Sequence, residues 1–228
     1  MDGGPAVLSV PRRSFVLVAG IPGAGKSSML ARRPIAARGA VVLDSDPIRE
    51  GLRAKLPDGT PYRWYRGLVH LWHRVQIVLA VLSTLGPVVV HMPATGAFSR
   101  VALVSLAMLA WRRPYLVWVH AEPAEARRGQ RARGRVLRRS CFERHARLGA
   151  AFVARLRAGH QPRGWHRVIL LDRRRARYGL VLDTEPAEAS VGQRSGELPA
   201  GPTGQPPREL PTRPAAGEVD APAERAAG

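Results

Sequence analysis

The stretch Gly20-Ile21-Pro22-Gly23-Ala24-Gly25-Lys26-Ser27 decides how the rest of the sequence reads. It satisfies the pattern G-x-x-x-x-G-K-[ST] at every fixed position. The β-branched apolar run Ser14 to Ala19 precedes it and reads as a buried strand, while Ser28-Met29-Leu30-Ala31-Arg32 opens a helix directly after it. Glycines at these positions allow the positive φ values that turn successive backbone N–H groups toward phosphate oxygens, at the positive end of a helix dipole. In that geometry Lys26 reaches the β- and γ-phosphates, the amides of residues 20 to 28 cradle them, and the Ser27 hydroxyl ligates Mg²⁺. An ordinary turn before a helix is the alternative. The strand on one side and the helix on the other favour the phosphate cradle.

Working outward, apolar runs alternate with helical patterns. Strands are expected at Ser14–Ala19, Ala40–Leu43, Val88–Met92, Tyr115–His120 and Arg167–Asp172. Helices are expected at 47–56, 62–85 and 99–113, with an arginine-rich helical stretch over 123–158 broken near Gly129 and Gly134. Such alternation gives an α/β fold: three layers, with a five-stranded parallel sheet and helices on both faces. Residues 1–12, with Gly3-Gly4-Pro5 and Pro11, read as a flexible leader, and 13–183 as the folded domain. Gly179 to Asp183 reads as an extra strand or a packed terminus. Beyond it, 184–228 is rich in Pro, Ala, Gly and Glu, with seven acids against four arginines. Such a composition buries too little apolar surface to offset its ordering entropy, so this tail is expected to be disordered.

The chain of 228 residues carries a formal charge of +19, and arginine supplies nearly all of the positive charge, lysine occurring only at Lys26 and Lys55. A field of that sign attracts polyanions, so a nucleic-acid partner stays open; compositional bias combined with phosphate-binding arginines is the favoured account. The single cysteine, Cys141, excludes an internal disulfide and a cysteine-based metal site, and fits a reducing cytoplasm. The uncharged run Val75 to Pro93 is interrupted by Gly86-Pro87 and reads as helix then strand. Neither a membrane span nor a membrane partner is expected.

The motifs together resemble the small P-loop kinases and kinase-like ATPases, the group of zeta toxins, polynucleotide 5′-kinases and chloramphenicol phosphotransferase. The resemblance covers residues 14 to about 172. It implies a P-loop NTPase fold, ATP and Mg²⁺ as cofactors, and phosphoryl transfer to a hydroxyl of a small-molecule acceptor. In that group an aspartate leaving the second strand, followed three residues later by an arginine, faces the transferred phosphoryl. Here these match Asp46, as base, and Arg49, as the acceptor-orienting residue. At the carboxyl ends of parallel strands a carboxylate is well placed to hold a hydroxyl in line with phosphorus. A structural reading stays beside it, in which Asp46 is the N-cap of a helix starting at Pro47 and Arg49 is solvated. Asp44 is a further candidate, for Mg²⁺ through water.

The stretch Glu122 to Arg135 resembles the group's lid, a helical segment of about 123–140 whose arginines close over phosphate. Helical spacing puts Arg127, Arg131 and Arg135 on one row, so these are the expected phosphate contacts, with a solvated basic face as the alternative. The acceptor contacts expected are Asp46, Arg49, Trp64, Thr95 and Arg100. Where the group often carries an aspartate at the end of its third strand, this sequence has His91-Met92-Pro93. Mg²⁺ would then rest on Ser27, nucleotide phosphates and water.

Overall fold

The structure is a computed structural model that describes residues 4–32, 39–134 and 136–184. Five strands form the central sheet: β2 (Ser14–Ala19), β3 (Val41–Leu43), β4 (Val88–His91), β5 (Arg113–His120) and β6 (Arg167–Asp172). All neighbours are parallel, in the order β3-β4-β2-β5-β6. The strand leading into the glycine-rich loop is therefore central. The chain leaves it for the edge at β3, returns through β4, and then crosses to β5 on the far side. That reversal leaves a crevice at the carboxyl ends of β2 and β4, where open parallel sheets bind ligands.

Both faces of the sheet are apolar because both are covered, as parallel strands require. Val16, Val18, Val89 and Val117 point into one core with Met29 and Phe142. Phe15, Leu17, Val88, Val90, Leu116 and Trp118 point into the other, with Ile77, Val81, Ala107 and Phe152. The second core is closed by α3 (Tyr62–Ser83) and α4 (Ala97–Leu109), together with the later turns of α6 (Arg139–Arg157). The helix α3 buries Tyr65, Val69, His73, Ile77 and Val81, one residue per turn at a spacing of four.

Residues 6–10 depart from the expected leader. They form β1 (Ala6–Val10), which pairs in parallel with β7 (Leu180–Thr184) to make a two-stranded sheet on the first core. Alternation explains it: Ala6, Leu8 and Val10 are buried while Val7 and Ser9 face outward. A five-residue alternation directly after Gly-Gly-Pro is a weaker local signal than the turn residues beside it. Residues 1–3 and the tail, 185–228, lie outside the described residues.

The helix α2 (Ser45–Lys55) starts earlier than expected, and its N-cap is Asp44, whose Oδ1 accepts the backbone N–H of Asp46 at 3.1 Å. Asp46 is thus inside the first turn. Pro47 is still tolerated there because a first-turn residue has no intrahelical N–H partner to lose. At the opposite end of the sheet, Arg112 is buried and acts as a clamp. It donates to the carbonyls of Val81 (2.7 Å), Gly86 (2.8 Å) and Ser14 (3.3 Å), and also to Thr84. The end of α3 is thereby tied to the starts of β2, β4 and β5.

Candidate nucleotide and acceptor site

Residues 20–25 form a loop between β2 and α1 (Lys26–Arg32), and Gly20, Gly23 and Gly25 have φ of 144°, 90° and 105°. Side chains at two of these positions are excluded by backbone as well as by φ. A Cβ on Gly20 would lie 2.3 Å from Val119 O, and one on Gly23 2.1 Å from Ala126 O. Ile21 and Ala24 are buried and contribute backbone only, whereas Pro22, Gly23, Gly25, Lys26 and Ser27 line the adjoining cleft. Ser28 is exposed at its rim.

The Lys26 ammonium is buried and donates to Gly20 O (2.9 Å) and Ile21 O (3.0 Å). Burial, with Arg133 nearby, pushes its pKa down to about 7, against a smaller upward pull from Asp44. An ammonium held by carbonyls alone suits a polyanionic ligand that would restore its charge. A triphosphate would supply that charge.

Across the cleft, which encloses about 600 Å³, stand Asp44, Asp46 and Arg49 from the start of α2. Arg49 lies over the Tyr62 ring, 4.4 Å from its centre, which fixes the guanidinium at the cleft wall. Asp44 Oδ2 is 2.7 Å from His91 Nδ1, at the end of β4. The approach is close but off the line of a ring N–H, for which no directed acceptor exists there. Burial raises the Asp44 carboxyl, yet the His91 contact and the Asp46 N–H outweigh it and hold it below the usual carboxylate range. Behind this pair, His73 is buried, and burial lowers its pKa. Ser27 and the two aspartates are oxygen donors of the kind Mg²⁺ prefers. Among the described residues, no group of three His, Cys, Asp or Glu side chains could hold a metal unaided.

The arginine-rich segment after β5 behaves differently from its sequence spacing. The helix α5 (Pro123–Arg131) ends at Arg131, and the chain turns through Gly134 at φ 62°. Of the expected row, Arg127 and Arg131 therefore do not face the loop. Arg127 lies over the Phe142 ring at 4.6 Å and approaches Glu143 at 3.5 Å, and Arg131 is exposed and does not line the cleft. Arg135 lies outside the described residues. The arginine of this segment that reaches the start of α1 is Arg133, two residues past the helix, donating to Ser28 Oγ (2.8 Å) and Ser27 Oγ (3.3 Å).

Two residues without a sequence signal fasten α5 to the loop. Gln130 is buried; it donates to Pro22 O at 2.9 Å and accepts the Leu137 N–H at 3.0 Å. Arg173, in the short α7 (Arg173–Ala176), donates to Gly23 O (3.1 Å) and Glu125 O (2.7 Å). No motif marks either, because their role is set by two backbone oxygens distant in sequence.

Three acceptor candidates fall outside the cleft. Trp64 is 72% exposed on the outer side of α3, and its neighbour Tyr62 lines the cleft instead. Arg100 is buried, donating to Ala94 O (2.8 Å) and Thr95 O (2.7 Å) and lying 4.0 Å from the Phe152 ring centre. It supports the β4–α4 loop, where Ala94 has φ 42°. Thr95 is buried beneath the site, its Oγ1 2.6 Å from Nδ1 of His145, which does line the cleft. Sequence order put all three near the carboxyl ends of strands, but only side-chain direction separates wall from support.

A family model described as an AAA domain matches residues 15–162. The chain belongs to that family. Among solved structures it is similar to a chain of the PezAT chromosomal toxin–antitoxin system of Streptococcus pneumoniae. That match has a TM-score of 0.53 and 14% identity, over 75% of this chain and 71% of the other. It is also similar to a chain of the Pnkp1/Rnl/Hen1 RNA repair complex, with a TM-score of 0.51 and 13% identity, over 64% of this chain and 46% of the other. No curated protein matches. The AAA-domain chain thus has a P-loop NTPase fold. No helix among its described residues is long and apolar enough to cross a membrane.

Proposed function

We propose that this AAA-domain protein is a kinase that moves the γ-phosphoryl of ATP to a hydroxyl of a small anionic acceptor. The observation that carries the reading is one cleft with Lys26 and the glycine loop on one wall and Asp44, Asp46 and Arg49 on the other. The acceptor oxygen forms its bond to the γ-phosphorus as the bond to the β–γ bridging oxygen breaks. The hydroxyl proton passes to the Asp46 carboxylate, and ADP leaves. Lys26 and the loop amides bind the phosphates, Arg133 closes over Ser27 and Ser28, and Arg49 orients the acceptor. A bound Mg²⁺, which Ser27 and Asp44 would hold, supplies neutralisation of phosphate charge. His91 stands where related proteins often have a carboxylate, and its contact with Asp44 keeps that side chain aimed into the cleft.

The acceptor side supports an anionic ligand, since Arg49, Arg63, Arg66 and Arg138 line it against only two carboxylates. The same arginines favour a second reading, a polynucleotide end-kinase, for which the RNA-repair neighbour is an analogy of fold. Transfer of radiolabelled γ-phosphate over panels of metabolites, nucleotides and oligonucleotides, with Lys26→Ala as blank, tests both. Asp46→Asn is expected to spare ATP binding and slow transfer by about 100-fold or more. Equal transfer by wild type and Asp46→Asn defeats the mechanism. Oligonucleotide binding that weakens steeply with salt selects the second reading.

A further inference from the structure

At the end of the sheet opposite the cleft, the chain exposes an apolar cap. Trp111 is 85% exposed, Leu109 80% and Leu85 73%, and Leu82 and Met108 beside them are also exposed. These residues belong to two segments, the end of α3 and the end of α4, that the buried Arg112 fastens together through the carbonyls of Val81, Thr84 and Gly86. Trp111 has φ 55°, a conformation costly for a bulky side chain, which holds its indole outward while Arg112 turns inward. Single exposed apolar residues need no explanation; a clustered cap on a rigid clamp does.

The surroundings say what covers it. Between Gly59 and Ala121 the sequence holds no aspartate or glutamate, so α3, β4, α4 and β5 carry no acid. The described loops entering the central sheet at this end add cations: Arg12 and Arg13 before β2, Arg113 at the start of β5, and Arg163 before β6. Arg13 donates to Ala110 O at 3.2 Å, and the Arg113 N–H donates to Arg13 O at 2.9 Å, which places both beside the cap. A Cβ at Gly164 would lie 3.5 Å from Met108 Sδ, so the loop bearing Arg163 adjoins it too. Asp183 sits on β7, which packs with β1 on the first core, on the other face of the sheet from α3 and α4.

We propose that this end of the protein seats on an anionic lipid surface. Leu85, Leu109 and Trp111 enter the interfacial layer, and Arg12, Arg13 and Arg113 lie among the headgroup phosphates. An indole at the level of the headgroups is the usual place for tryptophan at a bilayer. A second copy of the chain fits less well, because a two-fold contact through this cap brings two cationic rims together. The cleft opens at the other end of the strands and stays in water.

Flotation of the full-length protein with vesicles tests the proposal independently of any phosphotransfer. Phosphatidylcholine vesicles containing about a third phosphatidylglycerol are expected to carry the protein, pure phosphatidylcholine vesicles are not, and salt of about 0.5 M releases it. Leu109→Ser with Trp111→Ser lowers the bound fraction about tenfold or more, as does Arg12→Gln with Arg113→Gln, with thermal unfolding of each variant recorded as a check on folding. Trp64→Ser, at the cleft end of α3, leaves binding unchanged. Absence of wild-type binding to the anionic vesicles overturns the proposal. So does binding unaffected by the Leu109/Trp111 pair, or a concentration-dependent dimer in light scattering that this pair dissolves, which assigns the cap to a second copy.

Discussion

Raising the pH from about 6 to about 9 should weaken binding of magnesium–ATP by about 100-fold, and the group responsible is Lys26. Free, its ammonium is buried against the Gly20 and Ile21 carbonyls with a pKa of about 7. A triphosphate beside it returns the pKa toward or above the ordinary 10.5. Below about pH 7 the lysine is already charged and affinity is at its plateau. Above that, each bound nucleotide must draw one proton from solvent, so affinity falls by up to tenfold per pH unit, about 1.4 kcal/mol each. Two units give about 2.7 kcal/mol. Burial lowers the pKa of His145, and the His91 contact and the Asp46 N–H, against burial, hold Asp44 below the usual carboxylate range, so Asp44 stays ionised throughout this window. Titration calorimetry in two buffers of different ionisation enthalpy reads the proton directly: close to one taken up per nucleotide near pH 8.5, close to none near pH 6. Lys26→Arg, charged throughout, should give a flat profile, and Arg133→Gln should move the break to higher pH. Constant wild-type affinity with no proton uptake between pH 6 and 9 would refute the assignment of Lys26 as a buried, discharged phosphate ligand.

Further outcomes follow from the packing. Gly23→Ala sets a Cβ 2.1 Å from Ala126 O at a φ of 90°, so it should cost about 2 kcal/mol or more in urea unfolding and abolish nucleotide binding; Gly25→Ala, whose nearest neighbour is 4.0 Å away, should cost only the strain of its φ, about 1–2 kcal/mol. Arg100→Met removes two charged hydrogen bonds to buried carbonyls and should destabilise by about 2–4 kcal/mol without altering nucleotide affinity at a temperature where it stays folded. Trp64→Ala should stay within about 0.5 kcal/mol of wild type and leave phosphotransfer unchanged. Gln130→Ala leaves Pro22 O and the Leu137 N–H without their partner, and faster hydrogen exchange in residues 123–134 should report the loosened α5.

What the sequence made legible is what local chemistry dictates. Gly20, Gly25, Lys26 and Ser27 announce the loop because a phosphate cradle needs those residues at those intervals, and the five apolar runs announce a parallel sheet because strands covered on both faces leave no polar alternation. Arg133 was missed for a definite reason. Extrapolating the row of Arg127 and Arg131 assumed that the helix continued, whereas it ends at Arg131, and the arginine that bonds Ser27 and Ser28 comes from the turn beyond. Thr95 and Arg100 were placed at the right end of the sheet, but their side chains point beneath the cleft and stabilise its floor. The strand at 6–10 needs β7 as a partner, about three-quarters of the chain away, and a five-residue alternation cannot state that pairing by itself.

The central claim is that a triphosphate lies in the main-chain cradle of residues 20–27, facing Asp46. A crystal structure of the protein grown with magnesium and a non-hydrolysable ATP analogue measures this most directly. The account predicts β- and γ-phosphates against the amides of residues 23 to 28, Lys26 Nζ released from the Gly20 and Ile21 carbonyls onto phosphate oxygens, and Asp46 facing the γ-phosphorus. Nucleotide bound at any other surface, with Lys26 still on those two carbonyls, would contradict it.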